Sequence, residues 1–293
     1  MKDTAIGFVG ALIAAVCWGS YLVPLKRYSA QPTAKLQWWA SVAIFLSSAV
    51  LWVVRGTPTP SPWGLAAGLY WTIGGLLSFE AVRHEGLSGA STRWMGVGIL
   101  TSFAVGYFVF REPVVLTWGV AGLALLLLGL AVASGSGRAS KGLPWRSLGA
   151  GIVFGTYLVP LRLSGVSALD FAPPMATGIL LGAIPLGLKA RHFPVSPSVR
   201  WTFLLAGLVW NVANVASFFA IGGLGLAVGF PMTQLALVVS LVWGIFVFGE
   251  VPGASARLRI AMGAALLLLG AACLGVGKAA ATTPLAPPTA AHP

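Results

Sequence analysis

The sequence predicts an all-α integral membrane protein with ten transmembrane helices arranged as two inverted five-helix repeats. Three observations carry that expectation. Of 293 residues, 57% are hydrophobic and 8% are charged, with a mean hydropathy of +0.90. A soluble domain carries roughly 25% charged residues, so lipid is the solvent for most of this chain. The apolar runs are also continuous, as in Gly119–Ala133. Finally, the sequence repeats itself in order.

Only helices and closed barrels satisfy every backbone group in lipid. Barrel strands alternate apolar and polar residues over short segments, whereas these runs are uninterrupted, so helices are expected. About 20 apolar residues cross a bilayer core. Spans of that kind fall near 5–25, 36–54, 63–83, 88–109, 114–134, 146–162, 171–188, 201–221, 226–248 and 258–277. Between them lie turn signals such as Gly56-Thr-Pro-Thr-Pro-Ser-Pro62 and Phe193-Pro-Val-Ser-Pro197.

Four motifs recur. Trp18-Gly-Ser-Tyr-Leu-Val-Pro-Leu-Lys26 matches Phe154-Gly-Thr-Tyr-Leu-Val-Pro-Leu-Arg162. Trp71 with Ser78-Phe79 matches Trp210 with Ser217-Phe218. Phe108-Val-Phe-Arg-Glu112 matches Phe246-Val-Phe-Gly-Glu250, and Gly122–Gly129 matches Gly263–Gly270. The offsets run from 136 (18 to 154) to 141 (122 to 263). The chain therefore divides into a first repeat over 1–136, a second over 143–278 and an Ala/Thr/Pro-rich tail, expected to be disordered, over 279–293. Five is an odd number, so the second copy enters the membrane upside down. Inverted repeats of this kind underlie many secondary transporters, with substrate bound at the midplane between the halves; channels use them as well.

Twelve Lys and Arg residues fall in the odd-numbered loops, against five at the termini and in the even-numbered loops. The positive-inside rule then places the odd loops in the cytoplasm and both termini outside. The net charge of +12 does not signal nucleic acid, because the basic residues stand singly between apolar runs. Cys17 and Cys273 lie in apolar segments without metal spacing. The opening Met1-Lys2-Asp3 and its apolar run could pass for a signal peptide, but Trp18–Lys26 has a twin in mid-chain. The spans offer no His pair, no paired carboxylates, no nucleophile motif and no nucleotide-binding loop. No metal, cofactor or enzymatic reaction is expected.

The first-helix motif resembles the glucose/ribose porter family of the drug/metabolite transporter superfamily. So do Trp210-Asn211-Val-Ala-Asn214-Val-Ala-Ser-Phe-Phe, Gly225-Leu-Ala-Val-Gly-Phe-Pro-Met-Thr-Gln234 and Trp243-Gly-Ile-Phe-Val-Phe-Gly-Glu250. The first-half counterpart, Trp71-Thr-Ile-Gly-Gly75, lacks the two asparagines. The resemblance implies ten helices in two five-helix repeats and uptake of a sugar, compatible with proton coupling. Export of drugs or amphipathic metabolites by the same fold is the alternative; a channel or a membrane-embedded enzyme is the alternative of another class.

A sugar carrier needs hydrogen-bonding groups on a wet cavity and aromatic faces for the C–H side of the ring. Polar side chains inside spans are rare and face the bundle interior. Asn211, Asn214, Thr233 and Gln234 fit that description, and Asn211 and Asn214 share a helix face. At about 1.5 Å per residue, Asn214 and Gln234 lie roughly 13–17 Å from the turn at Gly225, near mid-membrane. Substrate contact by Asn211, Asn214 and Gln234 is one reading, and interhelical hydrogen bonding is the other. Trp18, Trp71 and Trp210 sit inside spans, where they could stack on a sugar or simply pack. Trp63 and Trp201 sit at span starts and read as interface anchors.

Glu80 and Arg93 are costly in a membrane and lie at equal distance from the turn near Gly86, so they are expected to pair with each other. Such a pair is either structural or coupled to transport. Glu112 and Glu250 close their spans and read as markers of the interface. Pro24 and Pro160 read as helix terminators. Gly151/Gly155, Gly178/Gly182 and Gly225/Gly229 read as close-packing pairs.

Overall fold

The computed structural model describes residues 2–24, 32–57, 61–85, 87–134, 144–190, 195–248 and 253–282. Every regular element among them is a helix. They are α1 (Lys2–Ser20), α2 (Thr33–Val54), α3 (Pro62–Glu85), α4 (Leu87–Ala104), α5 (Leu116–Ser134) and α6 (Trp145–Thr156), then α7 (Val159–Ser164), α8 (Ala168–Ala190), α9 (Pro197–Leu224), α10 (Leu226–Thr233), α11 (Ala236–Val242) and α12 (Ala254–Thr282). One-turn π segments extend α4 (Val105–Val109) and α11 (Trp243–Val247).

Eight stretches of the described residues are long and apolar enough to cross a bilayer: Asp3–Ser20, Ala34–Val54, Leu116–Ser134, Trp145–Ser164, Ala168–Lys189, Pro197–Leu224, Leu226–Val247 and Ala254–Thr282. Two further long helices, α3 and α4, carry Glu80, His84 and Arg93. The last helix runs to Thr282, so the first four residues of the expected tail are helical. The remainder of the tail, and Glu250, lie outside the described residues.

The repeat written in the sequence reappears as local backbone geometry. Proline cannot donate to the carbonyl four residues back. Accordingly α1 stops at Ser20, four before Pro24, and α6 stops at Thr156, four before Pro160. The two π segments begin at Val105 and Trp243, and each ends on the same bond, Phe110 N–H to Val105 O and Phe248 N–H to Trp243 O, both 3.1 Å.

Packing follows the same pattern. Helix α5 lies along α12, α2 along α8, α1 along α9, and α3 along α6. Helix α4 packs on α6, and α1 packs on α10 and α11; α3 meets α8, and α2 meets α9. Exchanging the halves maps this set of neighbours onto itself. The pairs made of equivalent helices run antiparallel. A Cβ on Gly122 would lie 2.9 Å from Gly270 O, one on Gly270 would lie 2.8 Å from Gly122 O, and one on Gly129 would lie 2.8 Å from Gly263 O. The start of one glycine motif thus meets the end of the other. Likewise Arg55 at the end of α2 pairs with Asp170 at the start of α8 (Nε–Oδ1 3.3 Å), while Gly187 near the end of α8 packs on Trp38 near the start of α2.

Lipid tails are as apolar as leucine, so helices in a bilayer associate through close van der Waals contact, which glycine permits. Several large side chains turn outward instead: Trp201, Phe246, Val247 and Leu258 are exposed. Gly122→Leu or Gly270→Leu should therefore force α5 and α12 apart and destabilise the fold by about 1–3 kcal/mol. Thermal unfolding in detergent should show the loss, while Gly222→Ala, where an added Cβ meets nothing within 4 Å, should unfold at the native temperature.

Candidate substrate site at the centre of the bundle

Four aromatic rings from four helices form a row through the middle of the bundle. Trp18 (α1) lies 6.3 Å from Trp210 (α9), Trp210 lies 4.6 Å from Trp71 (α3), and Trp71 lies 6.4 Å from Phe154 (α6), measured between ring centroids. The outer contacts are tilted by 42° and 44°. Trp18 and Phe154 are repeat counterparts, as are Trp71 and Trp210. The row is therefore nearly symmetric about the Trp71–Trp210 contact, where α3 and α9 meet.

Asn211 and Asn214 are both buried, but they turn to different partners. Asn211 Nδ2 donates to Ser47 Oγ at 2.8 Å and Ser48 Oγ at 3.0 Å on α2. Asn214 Oδ1 accepts from Tyr157 OH at 3.4 Å, and its Nδ2 faces Met175 Sδ at 3.7 Å. These bonds around Asn214 are long, so its amide is weakly committed. Two buried polar atoms beside Trp210 have no hydrogen-bond partner among the described residues: Asn211 Oδ1 and Trp18 Nε1. One is an acceptor and the other a donor. An unsatisfied buried group of this kind costs about 1–3 kcal/mol. Native structures leave few such groups, and each calls for an explanation, such as strain, an ordered water or a role in a site.

Gln234 lies at the break between α10 and α11, where the ladder tightens to three-residue bonds, Gln234 N–H to Pro231 O at 3.1 Å and Leu235 N–H to Met232 O at 3.2 Å. Its Nε2 donates to Thr233 Oγ1 at 3.2 Å, and Thr233 donates to Phe230 O at 2.6 Å. Among the described residues no contact joins Gln234 to the two asparagines. The structure thus brings Trp71 and Trp210 together with Trp18 and Phe154 on either side, while Asn211, next to Trp210 in the chain, turns to Ser47 and Ser48, and Asn214 turns to Tyr157 and Met175. Tyr157 and Phe154 belonged to a repeated motif that marked them in the sequence. The serines of α2 carried no such mark.

The charged residues depart from expectation. Glu80 Oε2 lies 3.5 Å from His84 Nε2, one turn along its own helix, and Arg93 Nε donates to Ser147 Oγ of α6 at 3.2 Å. No Glu80–Arg93 ion pair is seen among the described residues. Glu80 is 45% exposed, and His84 on the same helix stands beside its carboxylate.

Glu112, read from sequence as an interface marker, is instead buried, its side chain 2% exposed. Its Oε1 and Oε2 accept from the backbone N–H groups of Leu226 at 2.9 Å and Ala227 at 2.8 Å, the first turn of α10. Arg162 Nε stands 3.2 Å from Oε1. Buried Lys278 lies within electrostatic reach of both. A sequence signal for this cluster existed. The chain has six acidic residues, and a glutamate and a cation recur at the same repeat positions, Glu112 with Glu250 and Arg162 with Lys26.

The sequence signature of the sugar transport protein family matches residues 9–277. The glucose uptake protein GlcU of Bacillus subtilis is 27% identical over 284 residues, covering 92% of this chain and 97% of that one. A Lactiplantibacillus plantarum chain named for sugar uptake is 25% identical over 287 residues, covering 94% and 100%. A protein of known crystal structure shares the fold with a TM-score of 0.70 at 19% identity, over 94% of this chain and 98% of that one. With most of its length inside the family signature and a bundle of membrane-crossing helices, this chain belongs to the sugar transport protein family and is a multi-pass membrane protein.

Proposed function

We propose that the chain is a secondary transporter that moves a sugar across the membrane by alternating access, with ten spans in two inverted repeats. The observation that carries this reading is the central row of rings, flanked by an unpaired donor and an unpaired acceptor, where the two halves meet. Aromatic faces suit the C–H side of a sugar ring, and amides suit its hydroxyls. In this reading Trp71, Trp210, Asn211 and Asn214 contact the sugar, and Gln234 joins them when the α10–α11 break flexes. The antiparallel α5–α12 and α2–α8 pairs support inversion of the repeats, with α3 and α4 completing the ten spans. The excess of Lys and Arg in the odd loops supports termini outside the cell. Glu80 and Arg93 serve as structural residues of the opposite face.

The relatives named for glucose and sugar uptake support a sugar as substrate. A carrier must shuttle, so labelled sugar outside proteoliposomes should accumulate transiently against an excess of unlabelled sugar inside. Counterflow by at least one member of a panel of neutral sugars is the expected result. Flux without trans-stimulation would identify a channel. A flat response to every sugar, with stimulation by amphipathic amines, would favour the exporter reading.

The weakly committed Asn214 gives a second prediction. Asn214→Ala should raise the half-saturating sugar concentration by about tenfold, the loss of one hydrogen bond of roughly 1.4 kcal/mol, at an unchanged yield of folded protein. An unaltered concentration dependence would remove Asn214 from the site.

A further inference from the structure

We propose that Glu112 is a latch between the two halves, closing the face where α1 begins and α12 ends, and that each transport cycle must lift it from α10. The proposal rests on the carrier reading above for its cycle, and on the following geometry for the latch itself. Glu112 sits on the segment joining α4 to α5 in the first half. The groups bonded to its carboxylate belong to the second half: the first turn of α10 and Arg162 on α7, with the charge of Lys278 on α12 nearby.

Burying a carboxylate is costly unless it is paired and hydrogen-bonded. Here both oxygens take backbone N–H groups and one takes a guanidinium, all charge-assisted contacts. The positive end of the α10 dipole adds to them. Removal of Glu112 would orphan the N–H groups of Leu226 and Ala227, two residues with no exposed surface. The seat is shaped for the carboxylate. Gly225, with φ of +84°, would bring a Cβ within 2.5 Å of Glu112 Cδ, and Gly106 would bring one within 2.6 Å of Oε2. Gly225 is therefore part of the latch as well as a packing glycine. Arg162, 34% exposed, is the member of the cluster with the most exposed side chain. Four residues before it, Leu158 is fully buried and belongs to the same apolar cluster as Trp210. The layer between latch and aromatic row is thus filled by apolar side chains. The halves cannot separate at this face without breaking these bonds, which is what makes the contact a gate.

The test uses the full chain with Cys17→Ala and Cys273→Ala, a Leu158→Cys reporter and a charged, membrane-impermeant methanethiosulfonate, in proteoliposomes without sugar. Glu112→Gln should speed labelling of the reporter by about tenfold or more, the population change that losing one charge-assisted bond supports. Arg162→Gln, which leaves the carboxylate on α10, should give a smaller rise. Labelling at the native rate in a folded Glu112→Gln protein overturns the proposal. Should that variant fail to fold, native-rate labelling in Arg162→Gln overturns it. Independently, Glu112→Cys with Ala227→Cys, joined by a short bifunctional thiol reagent, should stop sugar exchange until the link is reduced. Exchange that continues through the linked protein would mean that the contact is a static tie. Absence of counterflow in the native protein would instead defeat the transport reading and leave the labelling result standing.

Discussion

Gly122 and Gly270 bring two backbones into direct contact, and the relation between the two halves of the molecule depends on that approach. Water drives soluble cores together, but a bilayer offers helices no comparable reward for hiding apolar surface. What remains is close contact, and close contact needs small residues facing each other over several turns. The motifs Gly122–Gly129 and Gly263–Gly270 supply it twice along one interface, each end of one against the opposite end of the other. A repeat unit that packs against its own copy in this antiparallel way sets the halves about a common centre.

At that centre stand Trp71 and Trp210, 4.6 Å apart. Equivalent residues of two repeats can touch directly only near the axis that relates them, which is where the proposed site lies. The contact is also rich in unspent polarity. Asn211 is fixed through its amide nitrogen by two serines while its oxygen has no partner among the described residues, and Trp18 Nε1 is in the same condition. A groove for an apolar metabolite would have no use for either atom. At the face where α1 begins, Glu112 accepts from two backbone N–H groups, faces Arg162, and so ties one half to the other. Seal and site thus differ in kind. The proposed seal is held by charge-assisted bonds, and the proposed site holds polar atoms without partners among the described residues.

Much of the fold was legible because lipid leaves only helices and closed barrels, between which uninterrupted apolar runs decide, and because the sequence states its plan twice. The helix ends at Ser20 and Thr156 follow from Pro24 and Pro160. The tryptophans and asparagines stood out as polar or amphipathic residues deep in apolar runs. Two things were hidden. Equal depth suggested a Glu80–Arg93 pair, but depth fixes only one coordinate, and the azimuth around each helix sends Glu80 toward His84 and Arg93 toward Ser147. Glu112 looked like an interface residue because it follows an apolar run. Its burial comes from Leu226 and Ala227 more than a hundred positions away, whose N–H groups become acceptor-seeking only once Gly225 turns the chain at positive φ.

The central claim is that a sugar sits where the halves meet. A structure of the protein solved with a transported sugar bound tests it most directly. The account expects the sugar ring against Trp71 and Trp210, the two indoles moved from their 4.6 Å contact, and hydroxyls within hydrogen-bond distance of Asn211 Oδ1 and Trp18 Nε1. A bound sugar elsewhere in the bundle, with the row of rings undisturbed and both atoms still unpaired, would contradict it.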